Sequence, residues 1–292
     1  MDYDLYYQPS GKIPAQGILL SLLGIILTAL ILGFVYAHAI YYIPLIYVRV
    51  LMTLAAGAAM GYVPRYLIKA GKIRNGLAAP IMSLMGGVLL LYVHWPIWVS
   101  LVLNQASGNG AMATPAVFLA DMLNPSLLWG KIQIINATGT WALEDSTFND
   151  DVLWFVWIVE ALIIVGMATF VGWRTESVPF DEKYGSWAQT IDLPKRFQYV
   201  GENEAFKSSL EQGNYEFLAS LPPQNNPNDH FSKVKLFHLP DSDIFYFSLI
   251  NTNRSQDKKG NEQLKEKTFI RQIRVQGDVI RDIFNLNLQP TP

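Results

Sequence analysis

Residues 17–36 read GILLSLLGIILTALILGFVY, twenty residues in a row without a charged side chain. The hydrocarbon core of a bilayer is about 30 Å thick and an α-helix rises about 1.5 Å per residue, so roughly 20 apolar residues cross it. Backbone N–H and C=O groups cannot stay unpaired in lipid, and a helix pairs them all internally. This stretch therefore predicts a transmembrane helix and sets the fold class of the N-terminal half.

Three further stretches are long and apolar enough to cross, and each contains a single ionisable side chain: Arg49 in the second, His94 in the third and Glu160 in the fourth. The four predicted spans cover residues 17–36, 43–62, 77–103 and 152–173. The loop at residues 104–151 is too long for a simple connection, and its patterns AVFLADML and LLWGKIQII predict short interfacial helices. We expect an all-α four-helix transmembrane bundle in residues 1–173.

The composition divides the chain into two parts. Only 16% of the 292 residues are charged, whereas a soluble domain has about 25%. Of the 22 Lys and Arg residues, seven lie in residues 1–173 and 15 in residues 174–292. The net charge of -2 gives no positive field for binding nucleic acid, so we expect no nucleic-acid partner. With no cysteine in the chain, disulfides and Cys-ligated metals are excluded.

The orientation follows from the basic residues, which stay on the cytoplasmic side of a membrane. The loop between the second and third spans is rich in them, the loop between the first and second has none, and residues 104–151 have one lysine against five acidic residues. Both termini should therefore lie inside, and the expected location is the inner (plasma) membrane of a bacterium. The basic residues used are Lys12, Arg65, Lys69, Lys72, Arg74 and Arg174. Aromatic residues near the span ends predict interface belts: Tyr36, Tyr41, Tyr42, Tyr62, Trp95, Trp98 and Trp173.

The three ionisable residues inside the spans are the main candidate functional residues, because charge is costly in a bilayer. Counted from the predicted ends of their spans at about 1.5 Å per residue, Arg49, His94 and Glu160 fall at similar depths and predict one intramembrane polar layer. Three interpretations stay open. The layer is a structural Arg49–Glu160 ion pair, a conducting or relaying route in which Glu160 titrates, or Arg49 extends toward the headgroups without a partner.

Small residues in the second and third spans predict close helix packing. Gly57 and Gly61 form a small-xxx-small face, and the third span contributes Gly86 and Gly87. The sequence does not decide whether this face packs within one chain or between chains. It is one reason to expect self-association or a membrane partner beside the lipid bilayer itself.

Residues 174–292 predict a small α+β cytoplasmic domain with an antiparallel meander. Residues 174–200 look extended, and residues 202–212 and 278–285 have helical patterns. Three runs alternate apolar and polar side chains as strands do, at residues 232–239, 243–252 and 266–275.

No catalytic constellation is present in the sequence. There is no G-x-x-x-x-G-K-[ST], G-x-S-x-G or H-E-x-x-H motif, and the four histidines have no metal-ligand spacing. Asp241 and Asp243 could share a divalent ion in a membrane-embedded transferase, although a Pro-Asp-Ser-Asp turn explains them better. We expect no enzyme activity, cofactor or metal.

Two hypotheses for function follow. The favoured one is a non-enzymatic integral membrane subunit that anchors a cytoplasmic interaction domain in a homo-oligomeric or multi-subunit membrane complex. The alternative is an oligomeric ion channel or membrane-permeabilising effector gated by its cytoplasmic domain.

Overall fold

The computed structural model describes residues 5–43, 45–106, 115–143, 146–226, 229–256 and 262–286. These residues form two compact units. Residues 11–176 make the first, here called the helical unit. Residues 5–10 and 177–286 make the second, here called the sheet unit. This division differs from the predicted boundary after residue 173, because the N-terminal residues 5–10 belong with the C-terminal part of the chain.

The helical unit contains four long helices, as predicted, and each is long and apolar enough to cross a membrane by length and composition. Two short helices and a two-stranded hairpin connect the third long helix to the fourth. In chain order the elements are α1 (Ala15–Tyr42), α2 (Ile46–Ala70), α3 (Ala78–Ala106), α4 (Pro115–Leu123), α5 (Pro125–Thr138), β1 (Trp141–Leu143), β2 (Ser146–Phe148) and α6 (Asp150–Trp173).

Helix α3 lies at the centre of the helical unit and packs against α1, α2 and α6. Helix α1 presents a small residue at almost every fourth position on its buried face, including Ser21, Ala29 and Gly33. A Cβ on Gly33 would lie 2.7 Å from Val93 of α3, so the missing side chain permits the close approach. Most leucines of α1 face outward, with Leu19 60% exposed. An apolar outer face of this kind is what lipid contact requires.

The two ends of the helical unit differ in chemistry. At one end the chain leaves α2 and enters α3 through residues 71–77, beside the segment that precedes α1. This end is here called the basic end, and it carries Lys12, Arg65, Lys69, Lys72, Arg74 and Arg174. At the opposite end, here called the capped end, α4 and α5 pack against α3, and α5 also packs against α6. The cap contains an ion pair of 2.6 Å between Lys131 and the fully buried Asp121.

The sheet unit contains a four-stranded antiparallel sheet in the order β5-β6-β7-β8. Its elements are β3 (Phe180–Asp181), β4 (Ser186–Trp187), β5 (Gln189–Gln198), α7 (Glu204–Glu211), α8 (Glu216–Ala219), β6 (Phe231–Leu239), β7 (Ile244–Gln256), β8 (Glu262–Val275) and α9 (Gly277–Phe284). The last three strands are the predicted meander. Strand β5 is a fourth strand that the sequence analysis did not assign, and Pro194 lies where its register with β6 shifts. Helices α7, α8 and α9 contribute Phe206, Leu218 and Ile280 to its main core.

Residues 5–7 run antiparallel along the edge of β8 and are joined to it by one isolated bridge and two backbone hydrogen bonds. Tyr6 forms an antiparallel bridge with Ile273, the Tyr7 N–H donates to the Gln272 carbonyl at 2.9 Å, and the Arg274 N–H donates to the Leu5 carbonyl at 2.8 Å. The Tyr6 hydroxyl also donates to Glu211 of α7 at 2.6 Å. The sheet unit is therefore built from chain on both sides of the four long helices.

Strands β7 and β8 extend beyond the rest of the sheet. The pairing of β6 with β7 ends at Phe231 and Thr252, whereas β7 and β8 remain paired out to Gln256 and Glu262. Residues 253–256 and 262–265, here called the ribbon, therefore pair with each other and with no other strand of this sheet. All four residues on the β8 side of the ribbon are exposed, including Leu264.

Two of the predicted belt aromatics lie elsewhere than expected. Tyr36 and Trp98 are each only 3% exposed and lie inside the helical unit. Tyr36 was placed at a span end, but α1 continues six residues further to Tyr42. Tyr42 and Trp173 are exposed at the ends of α1 and α6, whereas Tyr62 is exposed eight residues before the end of α2.

Candidate functional site

The structure brings the three predicted intramembrane residues together and adds two more. Arg49 and Thr53 come from α2, His94 from α3, Glu160 from α6 and Tyr36 from α1, so all four long helices contribute. Each of the five is at most 8% exposed. Glu160 lies at the centre, with Arg49 Nη2 3.7 Å from its Oε2 and His94 Nε2 4.0 Å from its Oε1. These five residues are here called the polar layer.

Hydroxyl groups complete the surroundings of Glu160. The Tyr36 hydroxyl donates to Glu160 Oε1 at 2.5 Å and lies 2.8 Å from the Thr53 hydroxyl, which donates to the Arg49 carbonyl at 2.8 Å. This chain has three contacts, but Tyr36 and Thr53 have only one hydroxyl hydrogen each. Tyr36 uses its hydrogen on Glu160 and Thr53 uses its hydrogen on the Arg49 carbonyl, so these two hydroxyls connect the carboxylate to the backbone of α2.

Aromatic side chains close the polar layer on the side of the capped end. Trp95 and Trp98 follow His94 on α3, Trp154 and Trp157 precede Glu160 on α6, and Trp129 on α5 stacks on Trp154. Neighbouring rings in this tryptophan cluster have centroids 5.0 to 6.0 Å apart, mostly edge to face. This is the favourable range and geometry for aromatic pairs. The cluster separates the polar layer from the cap.

Apolar side chains close the other side of the polar layer. Met60, Leu90, Ile164 and Ala168 are fully buried and follow in the direction of the basic end. Among the described residues, the polar layer is thus enclosed by apolar groups along the axis of the helical unit. Such an arrangement keeps the Arg49–Glu160 pair away from both ends of the helical unit.

The predicted packing glycines all lie at contacts between helices of one chain. A Cβ on Gly57 would be 2.7 Å from the Ile164 carbonyl, and one on Gly61 would be 2.7 Å from the Cβ of Val171, both on α6. Gly86 faces Met60 of α2, and Gly87 faces α6. Because neighbouring helices of the same chain contact these four positions, the small-residue face is buried within the helical unit. Self-association would need another surface.

The acidic pair Asp241 and Asp243 lies in the turn between β6 and β7. Asp241 accepts a hydrogen bond from the Ser186 hydroxyl at 2.7 Å. Asp243 accepts from Arg281 of α9 and lies 3.3 Å from Nε2 of His238. Burial lowers the pKa of His238, and the carboxylate of Asp243 opposes that shift. Both carboxylates thus have partners that tie the turn to neighbouring elements, and no group of three or more metal-ligating side chains occurs in the described parts of the chain.

No protein-family model matches the chain, and no curated protein or solved structure matches it. The functional interpretation therefore rests on the geometry of its own residues.

Tyr36 and Thr53 were not predicted as members of the polar layer. Neither is charged, and hydroxyl residues are common in apolar helices, so composition gave no signal for them. Helical spacing could have found Thr53, because it follows Arg49 by four residues and lies on the same face. Tyr36 could be placed only once the true end of α1 was known.

Proposed function

We propose that this protein is a non-enzymatic integral membrane subunit that anchors a cytoplasmic interaction domain in a homo-oligomeric or multi-subunit membrane complex. The observation that carries the proposal is the dual attachment of the sheet unit. Residues 5–10, which precede α1, pair with β8, while residues 177–286 follow α6. A domain attached to both the first and the last of the long helices is tethered at two points of the chain instead of one.

The same observation supports four crossings with both termini on one side. Residues 5–10 and β8 must occupy the same compartment in order to pair, and an even number of crossings returns the chain there. The basic end carries six Lys and Arg residues, which supports a cytoplasmic location for that side. The capped end then faces outward.

The polar layer serves this function as a structural clamp. Its ion pair and hydroxyl contacts join all four helices, and breaking a buried pair by removing one partner costs about 3–5 kcal/mol. A layer enclosed by tryptophans and aliphatic residues fits a rigid anchor better than a conducting route.

The ribbon is the surface that we propose for assembly. It projects past the four-stranded sheet, and Leu264 in it is 53% exposed. Paired strands that extend beyond their sheet can contact another chain without disturbing the core. Strand β5, the other edge of the sheet, contains Pro194 and Lys195, which disfavour edge-to-edge pairing.

Orientation is tested by cysteine labelling, because the chain has no cysteine of its own. Lys72→Cys at the basic end, Gln133→Cys on α5 and Ser220→Cys in the sheet unit are all exposed positions. In intact cells a membrane-impermeant maleimide should label Gln133→Cys alone, and after permeabilisation it should label all three. Labelling of Lys72→Cys or Ser220→Cys in intact cells would contradict the proposed orientation.

Assembly is tested by measuring the mass of the protein purified in mild detergent. The proposal expects more than one chain per particle, or a stoichiometric second protein. Leu264→Glu should reduce that mass to one chain, whereas Phe217→Glu, which changes a similarly exposed residue of α8 (50%), should not. A particle that holds one chain alone in the wild type would argue against a complex.

The hydroxyl chain of the polar layer favours one second candidate, a proton-conducting channel formed by several copies. Its contacts from Glu160 through Tyr36 to Thr53 resemble a short proton route. Acidification of vesicles that contain the reconstituted protein and a trapped pH dye would support it, if Glu160→Gln abolished the signal. Absence of flux at every pH tested would leave the anchoring function.

A further inference from the structure

A shallow apolar groove runs along the outer surface of the helical unit between α3 and α6. Its lining includes Leu84 on α3 and Leu162, Gly166, Phe170 and Trp173 on α6. The hydroxyl of the one polar lining residue, Thr169, donates to the Val165 carbonyl at 2.7 Å. The groove is separate from the polar layer and lies toward the basic end.

The dimensions of the groove match a single hydrocarbon chain. From Leu162 to Trp173 the helix rises about 16 Å, which is close to the roughly 15 Å of hydrocarbon in one leaflet. The groove has a volume of about 450 Å³. Along this length its apolar lining offers an extended hydrocarbon chain carbon contacts at about 4 Å.

The absence of a side chain at Gly166 opens the groove. A Cβ at this position would meet no atom within 4 Å. Unlike Gly57 and Gly61, this glycine is not required by a neighbouring helix in the same chain. Its place in the floor of the groove leaves room for a ligand.

Positive charge stands where the groove reaches the membrane surface. Arg174 directly follows Trp173, and its guanidinium lies 4.9 Å from the ring centre of Phe170. The basic end as a whole carries six Lys and Arg residues, and Glu176 is its one acidic residue among the described part of the helical unit. A cation at the headgroup level beside an apolar slot one leaflet deep complements an anionic phospholipid.

We infer that the groove between α3 and α6 is a binding site for one anionic phospholipid, with an acyl chain along Gly166 and the phosphate at Arg174. The site requires the four helices to lie in a membrane but does not depend on assembly or on a partner protein.

The test counts lipids that remain bound to the full-length protein released from vesicles of phosphatidylglycerol and phosphatidylcholine, by native mass spectrometry. Wild-type protein should retain one phosphatidylglycerol in preference to phosphatidylcholine. Gly166→Leu fills the groove and should lower the affinity for that lipid about tenfold or more. Gly130→Leu, at another glycine with no atom within 4 Å of its Cβ, is the matched control and should retain it.

The headgroup contact is tested with a matched pair of arginines. Arg174→Gln should lower phosphatidylglycerol retention about fivefold, the factor expected for one cation near an anionic surface. Arg65→Gln is the control, because Arg65 stacks on Tyr62 at 5.6 Å at the same end but outside the groove. Should Gly166→Leu fail to fold, Thr169→Leu fills the groove one turn further along.

Three results would overturn the inference. These are equal lipid retention in wild type and in a folded groove-filling variant, equal retention of the two lipids by wild type, and a second protein chain instead of a lipid released by the groove-filling variant. The last outcome would assign the groove to a protein partner.

Discussion

The double replacement of Arg49 and Glu160 is the sharpest test of the polar layer. Their charged atoms are 3.7 Å apart, and both side chains are 9% exposed. At an effective dielectric constant of about 20, two unit charges at this distance attract by about 4.5 kcal/mol. The pair also offsets the cost of burying each charge alone, so the two replacements should be strongly non-additive.

We expect Glu160→Gln and Arg49→Leu each to lower the free energy of unfolding by about 3 kcal/mol, because each leaves the other charge without its counter-charge. The double variant should lose about 2 kcal/mol rather than the sum of about 6, which gives a coupling energy of about 4 kcal/mol. Glu160→Gln retains an oxygen that can accept from Tyr36, so the cycle isolates charge from hydrogen bonding.

Reversible unfolding in mixed micelles, followed by tryptophan fluorescence, measures these energies. The tryptophan cluster is adjacent to the polar layer and reports its loss. Glu160→Gln combined with Lys131→Met is the control cycle, because Lys131 pairs with Asp121 in the cap. Those effects should add to within about 0.5 kcal/mol. Additive losses for Arg49→Leu and Glu160→Gln would refute the ion pair and favour an Arg49 that extends to the headgroups.

Three further outcomes are expected. Gly57→Ala should lower the unfolding free energy by about 1–3 kcal/mol, because its Cβ would press on the Ile164 carbonyl; Gly166→Ala should not, and thermal unfolding in detergent compares the two. Burial and the carboxylate of Glu211 raise the pKa of Tyr6. The folded chain therefore keeps a proton that the unfolded chain loses near pH 10, so the free energy of unfolding falls as the pH rises above about 10. The same measurement on Tyr6→Phe should show a smaller fall. Asp243→Asn keeps a residue type that tolerates the φ of +50° but removes the charge that faces Arg281. Amide hydrogen exchange in residues 277–284 should become faster, by a factor that corresponds to about 1–2 kcal/mol. Unchanged exchange would mean that this contact does not stabilise α9.

The long helices could be predicted from sequence because lipid imposes a simple rule on length and polarity. The ends of these helices could not be predicted, because flanking residues such as Tyr42 and Lys69 continue the helices beyond the apolar run. Measured from the actual ends, Arg49 is three residues inside α2 and Glu160 ten residues inside α6. These residues nevertheless meet, because the helix ends at the capped end are not level.

Only part of the sheet unit could be predicted from the sequence, and the physical reason differs from that for the helices. Alternating side chains predicted β6, β7 and β8, and each of these strands contributes alternate residues to the main core, such as Val234 and Leu236 of β6. Strand β5 contains QTIDLPKRFQ, whose Pro194 and charged residues hide the alternation. The pairing of residues 5–7 has no periodicity of its own and is defined by the partners Gln272 and Arg274, far away in the sequence. Pairing over such a separation leaves no local signal.

That pairing has a consequence for biosynthesis. Tyr6 and its partner Glu211 are 205 positions apart, and β8 is completed later still. At about 5–20 residues per second, the ribosome delivers β8 roughly 10–50 s after residues 5–7. All four long helices are translated during this interval. The edge of β8 therefore gains its N-terminal partner only after the whole helical unit has been made.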